Sequence, residues 1–193
     1  MAPGTPMERV EEILRFWFWA SDTERRDPRV WFVADAAFDQ ACQAGFLDDH
    51  ERAAAGELNH WRDGPRSTLA LILLLDQLPR NMFRGTPRAY ATDSQALSAA
   101  QHAVARGFDR ALIATERVFV YLPFEHSENL DAQREAVRLL RTLADQDPSV
   151  SGYLEYAERY LEIIRRFGRF PHRNAILGRT STPEEAAFLA SSR

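Results

Sequence analysis

Lysine is absent from this 193-residue chain: all 24 basic residues are arginine. That excludes Schiff-base chemistry on a lysine, and with it pyridoxal-phosphate enzymes and lysine-dependent aldolases. The lysine of a Walker phosphate-binding loop is missing as well. The codon usage of a GC-rich genome accounts for such a composition, and the exclusions hold whatever its origin. Cysteine is nearly absent too. Cys42 stands alone, which rules out an internal disulfide framework and fits a reducing compartment. Long apolar runs are also missing. The longest aliphatic stretch runs from Leu69 to Leu75, whereas a membrane-spanning helix needs about 20 residues. The opening MAPGTPMERVEEILRFWFWA is acidic before its apolar part and has no cationic leader, so it reads as an amphipathic helix and not a signal peptide. A cytoplasmic protein is expected. A net charge of −4 argues against general nucleic-acid binding. The local exception is residues 159–179, with six arginines against the single acid Glu162.

What is present is helical. Thr5-Pro6-Met7-Glu8 forms a capping box with proline at the first helical position, and Ile13, Leu14, Trp17 and Phe18 then share a face. Asp27-Pro28 is expected to start a second helix with Trp31, Phe32, Ala36 and Phe38 in the core. Another helical stretch spans Phe46-Leu47 to Trp61. Residues 67–78 (STLALILLLDQL) are apolar nearly all round, which predicts the most buried helix. Thr92 and Gln95 suggest a capped start to a helix ending at Gly107. Helices are expected over 115–122, 129–145 and 149–167, with Ser127 capping the second of these. A last, short helix follows the box Thr182-Pro183-Glu184-Glu185. The pattern predicts one all-α domain over 1–193, of about nine helices stacked as antiparallel hairpins. Thr115 to Pro148 matches the 34-residue tetratricopeptide period, with Ala136 and Leu140 at the expected spacing.

Three prolines interrupt apolar helical stretches in the same way: Leu78-Pro79-Arg80-Asn81, Leu122-Pro123-Phe124-Glu125-His126 and Phe170-Pro171-His172-Arg173-Asn174. Proline has no N–H and disfavours the helical state of the residue before it, so each helix is expected to end or kink there and leave carbonyls without partners. Arg, Asn and His can donate to those carbonyls, giving a sealed polar network. The same residues can instead form a site. Arg80, Arg84, Arg169 and Arg173 offer bidentate contacts to a carboxylate or phosphate. Asp76, Glu125 and Glu128 would neutralise them or act as acid and base, and His126 and His172 titrate near neutrality. With Asn81 and Asn174 these make the candidate ligand-binding set. The three breaks are expected to converge in space.

LALILLLDQLPRNMFRGTPRAYATD, VFVYLPFEHSENLDAQ and IIRRFGRFPHRNAILGRTSTPEE resemble the three signature blocks of the bacterial family called domain of unknown function 924. The likeness runs from the FWF near the N-terminus to the FLA near the C-terminus, and FGRFPHRN is its most specific part. The resemblance implies a tetratricopeptide-like helical fold and supplies no catalytic residues. Where family members usually carry histidine, seven residues before Phe167, this chain has Tyr160.

Other chemistry finds less support. Glu57-x-x-His60 has the spacing of one half of a di-iron site, and the second copy is missing. Adjacent helical residues point about 100° apart, so Glu125 and His126 cannot both face one metal in a helix. A site built from His126, His172 and a carboxylate is geometrically open. No metal or cofactor is expected. Ser127 adjoins His126, but a triad needs convergence in space. Cys42 reads as a small core residue, and Phe16-Trp17-Phe18-Trp19 as core with a docking edge. Three hypotheses follow: a site for a small anionic molecule, an interaction module for a peptide or partner protein, or a purely structural network.

Overall fold

The computed structural model describes residues 6–191, apart from the side chains of residues 6, 29 and 32. Among the described residues there is no strand beyond one isolated bridge between Trp19 and Arg25, and the chain is all-α. It divides into two compact units, one of residues 1–84 and 88–112 and the other of residues 85–87 and 113–193.

In the first unit, α1 (Pro6–Phe18) buries Val10, Ile13, Leu14 and Trp17, the i, i+3, i+4, i+7 spacing of one helix face. Its expected Thr5 cap lies outside the described residues. The Asp27-Pro28 signal produces only the short α2 (Arg29–Phe32). Asp35 then caps α3 (Ala36–Ala54) by accepting from Phe38 N–H at 2.9 Å. One long helix thus replaces the two expected on either side of residue 40. Ala36, at its exposed start, is not core; Phe32's side chain lies outside the described set. Phe38, Cys42 and Phe46 are buried along α3. Burial, reinforced by the Asp39 charge, pushes the Cys42 thiol up to about 12, as befits a core residue.

The apolar stretch becomes α4 (Pro65–Ile72), a π-helical turn (Leu73–Gln77) and α5 (Leu78–Met82) in succession, with Leu69 to Leu75 all at most 2% exposed. Burying side chains of this size contributes about 1.5–3 kcal/mol each. The unit closes with α6 (Asp93–Ala105), which packs on α4. Thr92 and Gln95 form no capping box. Thr92 Oγ1 donates to Leu75 O at 2.6 Å and Gln95 Nε2 to Ala54 O at 2.9 Å, so one serves the π turn and the other closes the end of α3.

In the second unit, α7 (Ala114–His126), α8 (Leu130–Gln146) and α9 (Ser151–Phe167) pack in sequence order. Their short connections make neighbours antiparallel. Ala136 and Leu140 are fully buried in α8. Asn129, not Ser127, caps α8, accepting from the N–H groups of Asp131 and Ala132 at 2.9 and 3.0 Å. Ser127 Oγ instead accepts from Asn129 N–H at 3.2 Å. The predicted box before α10 (Pro183–Ser191) forms reciprocally: Glu185 N–H donates to Thr182 Oγ1 at 3.2 Å, and Thr182 N–H to Glu185 Oε2 at 2.7 Å.

Candidate functional site

The three prolines do not act alike. Pro79 does not end its helix. The preceding turn widens, so that Leu78 N–H bonds Leu73 O, five residues back. A π turn redirects carbonyls that an α-helix would pair internally. Leu74 O receives His50 Nδ1 at 2.8 Å, Leu75 O receives Thr92 Oγ1, and Asp76 O receives Arg80 Nη1 at 2.6 Å. Of these three donors only Arg80 belongs to the break itself; His50 and Thr92 come from other elements. Pro123 is absorbed as well, and α7 continues to His126. Gln133, fully buried, donates from Nε2 to Glu125 O and, at 2.7 Å, to Ser127 O, closing that end. At the third break the helix ends earlier, at Gly168 in the left-handed conformation (φ 69°), and Pro171 opens a 3-10 turn over Pro171–Arg173.

Around the first break every candidate has a local partner. Arg80 holds Asp93 bidentately at 2.9 and 3.0 Å and lies 3.2 Å from the fully buried Asp76. Burial disfavours the Arg80 cation, but the Asp76 and Asp93 charges outweigh it and raise its pKa. Arg84 makes a fork to Asp39, 2.7 Å on each side, and Asn81 Nδ2 donates to the same carboxylate at 2.8 Å. The bonds from Arg84 hold the Asp39 carboxyl below its usual range.

The second and third breaks meet within the second unit. Glu128 accepts from Phe170 N–H at 2.8 Å and from Arg179 at 2.7 and 3.0 Å. Burial would raise the Glu128 carboxyl, yet these bonds hold it low. Arg179 also donates to Phe170 O at 3.0 Å and to Asn174 Oδ1 at 2.9 Å. Asn174 Nδ2 reaches Glu185 Oε2 at 3.2 Å, and Glu185 takes a two-nitrogen contact from Arg169 at 2.6 and 2.8 Å. The Arg169 bonds, with the Thr182 N–H, depress Glu185 to about 2. A continuous chain of charge-assisted bonds therefore runs Glu128, Arg179, Asn174, Glu185, Arg169.

Phe170, fully buried, is the hub beneath it. Arg173 lies over its ring at 4.5 Å, the His172 ring is 5.4 Å away, and Tyr160 meets it edge-on at 5.1 Å. Tyr160 at the usual histidine position is thus a packing residue. Glu125 and Arg173 are buried, at 4% and 6% exposure, and His126 is half-buried. His172 keeps an exposed edge, yet partial burial and the neighbouring Arg173, with Arg179 and His126 adding to it, push its pKa down to about 4.

Arg179, Asp39 and Glu185 were not among the candidates. Arg179 was visible as the last arginine of the basic segment, and Gly178, at φ 66°, turns the chain that brings it back. Glu57 and His60 are both exposed, Glu57 pairing with Arg52 at 3.3 Å. No group of three metal-ligating side chains occurs among the described residues, and no helix there is long and apolar enough to cross a membrane.

Comparison with known proteins agrees with the fold. The family described as "Bacterial protein of unknown function (DUF924)" matches residues 13–193. The solved structure of a protein of unknown function from Agrobacterium tumefaciens is 45% identical, with a TM-score of 0.84 over 95% of this chain and 97% of that one. No curated protein matches.

Proposed function

The chain belongs to the bacterial DUF924 family, and we propose that it works as an interaction module: a tetratricopeptide-like helical scaffold for a peptide or partner protein, fastened by its arginine–carboxylate motifs. One observation supports the fastening role and speaks against an anion site at these arginines. Arg80, Arg84, Arg169 and Arg179 each already hold a carboxylate through two nitrogens. Guanidinium groups occupied in this way have little left for an anionic ligand, and removing one partner of a part-buried pair destabilises strongly. Exchanging the members of one pair tests the role. Glu128→Arg and Arg179→Glu should each lower the melting temperature, and the double exchange should recover part of the loss. Single variants that melt like the wild type would overturn the fastening role.

A second reading, a small anion bound at the second and third breaks, is favoured by the placement of Arg173 and His172 side by side against the Phe170 ring. Phosphate or a simple carboxylate should then raise the melting temperature in a way that Arg173→Ala abolishes with the fold intact.

A further inference from the structure

An open groove of about 460 Å³ lies along the first unit. Phe16, Trp19, Arg26, Ala41, Gly45 and Phe46 line it, from the end of α1, the turn that follows and the middle of α3. A volume of about 300–1,000 Å³ suits a small molecule. Three further charged residues contribute to the lining, and all are engaged: Arg15 pairs with Asp22, and Glu12 with Arg9 at 2.6 Å.

Arg26 differs from them. Its Nε and Nη2 donate to Phe16 O at 3.2 and 2.9 Å, and Nη2 also to Trp19 O at 3.0 Å, which fixes the guanidinium at the C-terminal end of α1. The rings of Phe16 and Phe38 lie 5.5 and 5.1 Å from its central carbon. No carboxylate of the described residues pairs with it, and its Nη1 donors carry no hydrogen bond to them. Burial lowers its pKa, and only the neighbouring Cys42 works against the effect. A half-buried cation held by neutral carbonyls is the setting in which a charge-assisted bond gains most.

We infer that this groove binds a small aromatic monocarboxylate, with the carboxylate on Arg26 Nη1 and the ring against Phe16, Trp19 and Phe46. The aromatic walls supply apolar area for a flat body. Arg15, the other cation of the lining, is already paired with Asp22, so the single charge of Arg26 favours one carboxylate over a phosphate dianion. This site involves none of the motif arginines and goes beyond the module reading.

Titration calorimetry of the full chain with phenylacetate and indole-3-acetate, each against its neutral amide, tests the assignment. Both acids should bind saturably, and the amides at least about tenfold more weakly. Arg26→Gln should remove the difference between acid and amide, while Arg134→Gln, at an exposed position of α8, should leave it unchanged. Because Arg26 also holds the end of α1, Gly45→Leu provides a second probe. Gly45 lines the groove, and a Cβ there meets nothing within 4 Å, so a larger side chain can be placed on the groove wall while circular dichroism checks the fold. Binding should then be lost. Acid and amide binding equally, binding that survives Gly45→Leu, or no saturable binding of either acid below about 10 mM would each overturn the proposal.

Discussion

At the scale of single residues, two titrating groups in the second unit give opposite kinds of contact and the same direction of acid sensitivity. Glu185, depressed to about 2, stabilises the fold fully above the unfolded carboxyl value of about 4.3. That contribution shrinks as pH falls through this value and is gone below about 2. His172 is lowered to about 4 from an unfolded value of about 6.5, so the unfolded chain binds its proton first. Stability therefore falls between about pH 6.5 and 4 and gains no further loss from this group below that. His50, lowered by burial, acts in the same direction. Melting curves from pH 7 to 2 should show both losses. His172→Gln should reduce the upper one and Glu185→Gln the lower. A wild-type melting temperature that stays flat from pH 6.5 to 4 would contradict the His172 environment. Capping gives a separate test in the same unit. Asn129→Ala should cost about 1 kcal/mol in urea unfolding, and Ser127→Ala measurably less, because Asn129 carries both cap bonds.

At the scale of elements, what the sequence made legible was local. Residues 67–78 could be recognised as the buried helix because nearly every side chain there is apolar. The Thr182–Glu185 box was readable because all its partners lie within four residues. The behaviour of Pro79 was not readable. Its helix continues through a turn whose freed carbonyls are met by His50 and Thr92, 24 and 17 residues away. Thr92 and Gln95 have the spacing of a cap, and only tertiary packing sends their side chains to the π turn and to the end of α3. The arginines were recognisable as candidates, but Arg84 and Asp39 are 45 residues apart, and no local spacing points from one to the other. Thr92 is a structural donor to the π turn. Thr92→Val, which keeps the shape and removes the hydroxyl, should leave Leu75 O unpaired in a buried site and cost about 1–3 kcal/mol. Thr92→Ser should recover most of that. Equal stability of Thr92→Val and wild type in denaturant would mean that the π turn satisfies its own carbonyls.

At the scale of the whole molecule, the question is whether the two compact units melt together, as expected of one domain over residues 1–193. Neither unit is a single continuous segment, since residues 85–87 group with the later unit and 88–112 with the earlier one. Domains that fold alone are usually continuous stretches joined by exposed linkers, so this interleaving favours one cooperative unfolding transition. The chain contains its own reporter. All four tryptophans, at 17, 19, 31 and 61, lie in the first unit, whereas helical circular dichroism reads both. Leu140→Ala removes a fully buried side chain from α8 in the second unit, a change that costs about 2–5 kcal/mol in a packed core. If the chain unfolds as one domain, tryptophan fluorescence should register that loss as fully as circular dichroism does, with coincident midpoints in urea. A fluorescence midpoint that stays at the wild-type value while the dichroism midpoint falls would show that the first unit folds without the second. The chain would then be two domains, and each of the two sites would have to be studied within its own unit.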